Sequence, residues 1–250
     1  MALFEKKTCD ICGDKLGLSG RLKAADGLVC KECAAKLSVW AGDQKGATLR
    51  QLRSQLVRRE ANRQLVADFN TTRSYGETDR ICLDGESRKF MIVSTDNVTL
   101  ENPDVFSYDD VTDCFLTVEE DRTEDMQKDE KGKPISFNPP HFHYLFDFIV
   151  TIKVSDPWFD TVSLRLNRDS VSIPGGAGGV SDAERDTSPE YRRYANIAEE
   201  IRGILTFRPD GAEKASPLMA CPVCGTVAPP DSNGCCPSCG TRITESAPQI

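Results

Sequence analysis

Eight of the eleven cysteines in this 250-residue chain stand in four Cys-x-x-Cys pairs, and paired thiolates are strong ligands for zinc and for iron–sulfur clusters. Cys9 and Cys12 face Cys30 and Cys33 across seventeen intervening residues. Four thiolates at that spacing read as a closed zinc site. Each turn bends tightly enough for both sulfurs to reach one ion, and Gly13 relieves the backbone as it leaves the first turn. Disulfides or an iron–sulfur cluster are the alternatives. A second set, Cys221, Cys224, Cys236 and Cys239, repeats one Cys-Pro-x-Cys-Gly knuckle with eleven residues between the pairs. It reads as a small zinc ribbon. The repeat selects Cys236 over its neighbour Cys235, although Cys235 could substitute through a Cys-x-x-x-Cys spacing. Rubredoxin-type iron uses the same knuckle, but residues 221–250 hold no aromatic side chain to shield iron from water. The expected cofactor is two zinc ions per chain.

The remaining candidates for chemistry are fewer. His141 and His143, the two histidines of the chain, share one side of a strand pattern with Asp147, and two histidines with a carboxylate can hold a catalytic iron or zinc. Asp147 lies about 13 Å from His143 along an extended strand, so a polar outward face is the preferred reading. Cys82 and Cys114 read as small buried hydrophobes. The glycine-rich stretch 174–180 ends in neither Gly-Lys-Ser/Thr nor a helix entered by G-x-G-x-x-G, and Asp182 and Glu184 follow it. It reads as a flexible linker, not a phosphate loop. No nucleophile elbow or Ser/His/Asp order is visible, so no catalytic residue is assigned and no small-molecule substrate is evident.

These residues must be positioned by the elements around them. After Cys33 a short helix is expected, with Leu37 and Trp40 on one side and Gly42 as its stop. A knuckle, a hairpin and a helix carrying the second ligand pair would make a treble-clef-like unit over residues 1–43. A connecting helix follows within 44–72, capped by Thr48, with Leu49, Leu52, Leu56 and Val66 on one stripe. Lys45, Arg50, Arg53, Arg58, Arg59 and Arg63 against Glu60 make it basic, but the arginines scatter around its barrel, as on a solvated helix. Residues 73–208 read as a β-rich domain. Its strongest strand runs over 141–154, where Phe142, Tyr144, Phe146, Phe148, Val150, Ile152 and Val154 alternate onto one face. Residues 119–140 interrupt the sheet as a hairpin arm or mobile loop. A helix after Ser188 offers Tyr191, Tyr194, Ala198, Ile201 and Leu205 as a matching stripe that closes the sheet. A linker over 209–220 then leads to the ribbon at 221–250, which is expected to hang loosely from it.

Charge and composition narrow the partners. The net charge is −8, which argues against a general nucleic-acid binder, because phosphates must be met by a surplus of Lys and Arg. Seventeen carboxylates against five basic residues over 76–130 would repel an anionic membrane and suit a basic protein partner. Paired cysteines without an apolar leader point to a reducing, cytoplasmic compartment.

With these residues in place, the chain resembles an uncharacterised bacterial family that opens with Cys-Asp-Ile-Cys-Gly and a second pair running into a helix. The resemblance is specific over residues 9–70, where Cys9, Cys12, Cys30 and Cys33 match as ligands. It implies a small zinc-binding protein whose strand-rich middle, 73–208, is similar to bacterial pleckstrin-homology-like domains. At the C-terminus it rests on a zinc ribbon shared by many unrelated proteins. No activity comes with it. The expected architecture is therefore α+β: two metal modules bracketing an antiparallel domain capped by a helix. The expected role is that of a non-enzymatic scaffold or interaction protein. A nucleic-acid-associated regulator using the zinc modules and basic helix is the alternative, and a metalloenzyme using His141 and His143 the second.

Overall fold

The computed structural model describes residues 8–17, 21–41, 46–208, 219–228 and 234–243. It is a mixed α+β fold with antiparallel sheets and a cysteine quartet near each end. β1 (Leu22–Ala24) and β2 (Gly27–Val29) form a hairpin that delivers Cys30 to the N-cap of α1 (Lys31–Ala34). That helix is a single turn, shorter than the sequence pattern implies. Ser38 is drawn away instead: its N–H donates to Gln55 Oε1 at 3.2 Å and its hydroxyl to Asp104 Oδ2 at 2.6 Å. Leu37 therefore stays with the cysteines while Trp40 turns to the central core, so the two do not share a side. The stop expected at Gly42 lies outside the described residues.

α2 (Leu49–Ala67) begins at the expected cap, with Thr48 and Gln51 in a reciprocal capping box. Its apolar stripe meets two different surfaces. Leu49, Leu52 and Leu56 pack on the N-terminal cysteine cluster, and Val66 packs on the outer face of the first central sheet. That sheet is formed by β3 (Arg73–Tyr75), β4 (Arg80–Asp84), β5 (Lys89–Val93) and, after the short α3 (Val98–Glu101), β6 (Val105–Ser107). Because α2 covers one face and the core the other, β4 and β5 are buried on both sides: Ile81, Leu83, Phe90 and Ile92 point inward, Cys82, Met91 and Val93 toward α2. Cys82 and Cys114 are both buried, as expected for small hydrophobes.

A 3₁₀ turn at Tyr108–Asp110 leads into β7 (Val111–Glu124). The polar stretch does not interrupt the sheet at once, since β7 stays in register to Glu124. Only then does the chain leave as a hairpin arm, β8 (Met126–Lys128) and β9 (Pro134–Ser136). β10 (Phe142–Val154) is the centre of the second sheet, and Tyr144, Phe146, Phe148, Val150, Ile152 and Val154 are buried on its inner face as the alternation requires. β7 pairs along one edge of β10. β11 (Thr161–Arg165) and β12 (Val171–Gly175) share the other edge end to end. Between them the buried Asn167 fills the gap: its Oδ1 accepts from Phe148 N–H at 2.8 Å and its Nδ2 donates to Phe146 C=O at 3.2 Å.

The glycine-rich stretch is a packed turn and not a flexible linker. Tyr144 donates its hydroxyl to Gly176 C=O at 2.7 Å, and a Cβ on Gly175 would stand 2.9 Å from the Tyr144 ring. Asp182 and Glu184, which follow it, belong to the first turn of α4 (Asp182–Thr187). α5 (Pro189–Thr206) then seals the core with the expected stripe. Tyr191 meets Phe146 and Phe148 edge-on at 5.2 and 4.9 Å between ring centres. β13 (Met219–Ala220) and β14 (Val227–Ala228) frame the first knuckle of the C-terminal unit. Residues 209–218, most of the expected linker, lie outside the described residues.

Candidate metal centres

Three of the four cysteine pairs fold into the same knuckle. Cys9, Cys221 and Cys236 each donate their N–H to the carbonyl five residues on, at 2.7 to 2.9 Å, and each accepts at its own carbonyl from the glycine four residues on. Gly13, Gly225 and Gly240 hold φ of +82, +72 and +70, which is why a glycine closes every knuckle. The fourth pair is built differently, with Cys30 as a helix cap accepting from Cys33 N–H at 3.3 Å. Asp10 fastens the first knuckle to the hairpin by exchanging two hydrogen bonds with Leu28. Gly27 permits that approach, because a Cβ there would stand 2.7 Å from Asp10 Oδ2.

The result is two quartets, Cys9 with Cys12, Cys30 and Cys33, and Cys221 with Cys224, Cys236 and Cys239, each with its sulfurs within 4.8 Å of one another. Four thiolates at about 2.3 Å around a tetrahedral ion stand about 3.8 Å apart. The Cys12–Cys30 sulfurs are 3.7 Å apart, Cys221–Cys239 3.5 Å and Cys224–Cys236 3.6 Å, so the donor sets fit a single ion. They are too far apart for disulfides, whose sulfurs lie about 2.05 Å from each other. Burial raises the Cys9 pKa, but N–H groups of Cys12, Cys30 and Ile11 outweigh it and bring it to about 6, whereas burial and the neighbouring sulfurs push Cys33 up and bring Cys236 to about 11. The Thr226 hydroxyl and N–H bring Cys224 to about 6 as well. The second quartet contains Cys236, with Cys235 outside it.

The arginines of α2, which scatter as the sequence suggests, are each taken by a different neighbour. Arg53 donates to Asp10 C=O inside the first knuckle. Arg50 donates to Val223 C=O and, at 2.6 Å, to Pro222 C=O inside the second, and the Ser54 hydroxyl reaches Gly225 C=O at 2.9 Å. Arg59 pairs with Asp104 at 2.9 Å and Arg58 with Asp156 at 2.5 Å. The connecting helix is thus a spine on which both metal units and the central domain are mounted. The ribbon, expected from sequence to hang loosely from its linker, instead sits on α2. Arg50→Ala is accordingly expected to let the ribbon separate once the chain is cut between 209 and 218. Wild-type protein cut at the same place should keep its ribbon through gel filtration.

The histidine constellation does not converge. His141 stacks on Phe137 at 4.8 Å, His143 lies 3.0 Å from the Ser172 hydroxyl and 3.2 Å from Asp125, and Asp147 is held by Arg165 at 2.5 Å. Among the described residues, the groups that could hold a metal ion are the two quartets. Sequence reasoning missed the roles of Arg50, Arg53 and Ser54, because their partners are backbone carbonyls, which leave no trace in residue type. No helix among the described residues is long and apolar enough to cross a membrane. No curated protein and no solved structure matches the chain. Residues 8–55, which contain the first quartet and the opening turns of α2, match a family model described as "Domain of unknown function (DUF4428)".

Proposed function

We propose that this chain is a non-enzymatic, zinc-stabilised interaction or scaffold protein of a reducing compartment such as the cytoplasm. Its N-terminal unit is read as treble-clef-like, its middle as pleckstrin-homology-like and its C-terminal unit as a zinc ribbon. The observation that carries this is the donor set: each quartet supplies four thiolates to one point. Four thiolates complete a tetrahedral shell and leave no open position for a substrate. The metal's task is then to hold knuckles onto α2. The nucleic-acid reading calls for free arginines on that helix, whereas Arg50, Arg53, Arg58 and Arg59 all bind protein groups. Elemental analysis of purified protein is expected to find two zinc ions per chain. A third zinc or stoichiometric iron would restore His141 and His143 as ligands, and a red protein would overturn the ribbon assignment. A gel shift persisting at physiological salt would favour the regulator instead.

A further inference from the structure

We propose that the free edge of β7 is the docking site for an extended, Lys- or Arg-bearing segment of a protein partner, which joins the second sheet as an added strand. The inference rests on the interaction role given above and names its site and the chemistry of the partner.

Among the described residues β7 pairs with β10 alone, so one side of a fourteen-residue strand is open. The direction of its backbone groups follows from β10. Phe148 sends its N–H to Asn167 and receives Leu166 N–H at its carbonyl, so even-numbered residues of β10 face away from β7. The odd-numbered pairs, such as Ile149 with Thr117 and Asp147 with Glu119, then exchange the ladder bonds. Leu116, Val118 and Glu120 are left with N–H and C=O directed outward. At either end of that stretch the outward N–H is already closed by a neighbouring carboxylate, Cys114 N–H by Asp113 at 2.9 Å and Arg122 N–H by Asp121 at 2.7 Å. Three open positions therefore lie between two sealed ones, enough for a short added strand.

The side chains choose the occupant. Leu116 and Val118 are half-buried on the inner side, against which α5 packs, so every second residue of an added strand would meet an apolar lip. On the outer side stand Glu119 and Asp121, with Glu124 at the strand's end. Asp113 and Glu120 are paired with Lys153 and Arg185, but Glu119, Asp121 and Glu124 have no salt bridge among the described residues. An antiparallel second copy of β7 would bring these carboxylates against their equivalents, and a nucleic acid would bring phosphates. A segment alternating apolar and basic residues satisfies both sides of the edge.

The test uses the zinc-loaded full chain and a fluorescein-labelled ten-residue peptide alternating valine and lysine. Anisotropy is expected to show saturable binding, and amide exchange at Leu116, Val118 and Glu120 to slow at least tenfold. Val118→Pro, which removes one open donor, should weaken binding at least tenfold while zinc content and melting temperature hold. If that variant does not fold, Glu119→Lys combined with Asp121→Lys should weaken binding through charge alone. Equal binding of a valine–glutamate peptide, protection at another place, or a peptide-free dimer already protected at these three amides would each overturn the proposal. Cross-linked capture from the native cell separates it from the interaction role: a partner held equally by wild type and both variants would keep that role and reject this edge.

Discussion

Cys30→Ser is expected to lower the bound zinc from two ions to one and to unfold everything before α2. Cys30 stands where four functions meet: it is a ligand candidate, caps α1, lies 3.7 Å from the Cys12 sulfur, and through its N–H donates to Cys9 at 3.2 Å. The apolar cluster around it holds little beyond Ala24, Val29, Leu37 and Leu52 among fully buried residues other than the cysteines themselves. A cluster that small does not fold alone, whereas a structural zinc site contributes about 10–16 kcal/mol of apparent binding energy near neutral pH. Loss of the site should also free Ser38 and with it the link from Gln55 to Asp104. Metal analysis and limited proteolysis together check this. Cleavage is expected throughout 8–17 and 21–41 in the variant and at none of those positions in wild type. Cys236→Ser should also cost one zinc but leave the melting of the central domain in place. A Cys30→Ser protein that kept two ions and resisted protease would refute the assignment.

Phe146→Ala should be the most damaging single truncation in the central domain. The side chain is fully buried at the middle of β10, meets Tyr191 edge-on, and has the Arg185 guanidinium 5.1 Å from its ring centre. Removing a buried phenylalanine costs about 3–5 kcal/mol, which is a large part of a domain's stability. At about 2–4 °C per kcal/mol for a protein of this size, the melting temperature should fall by roughly 6–20 °C. His143→Ala, three residues away on the opposite face and 39% exposed at its side chain, should cost about 0.5 kcal/mol or less. Denaturant unfolding of the two variants decides it. A mild Phe146 variant beside a crippled His143 variant would mean that the inner and outer faces of β10 are exchanged.

Much of this was legible in the sequence wherever a repeat of residue types maps onto a geometric period. The two-residue alternation of β10, the three-and-four stepping of α5 and the Cys-x-x-Cys pairs each report a face or a turn directly, and the structure places them as read. What periodicity could not report is polar docking. The apolar stripe of α2 accounts for its packing on the N-terminal cluster and the first sheet, but the rest of its surface looks solvated by pattern. That surface is held by Gln55, Asn62 and four arginines that reach chain segments as far away as Val223. The single-turn α1 is a second case, because Ser38 leaves the helix for partners at 55 and 104 that no local propensity contains. Composition misled at Gly175, where glycine marks the close approach of an aromatic ring and not slack chain.

The mounting of both knuckles on α2 makes the helix a ruler with fixed graduations. Arg50 and Ser54 meet the C-terminal knuckle, Arg53 the N-terminal one, Arg58 Asp156, and Arg59 and Asn62 the segment at 103–104. An α-helix turns about 100° per residue, so one residue inserted between Arg50 and Asn62 would swing every later graduation away from its mark while the earlier ones stayed in place. Length in this chain is therefore constrained most tightly where its composition looks least demanding, along a polar helix. The arm at 126–136, at the far end of β7, could gain or lose residues in pairs and leave each of these alignments untouched.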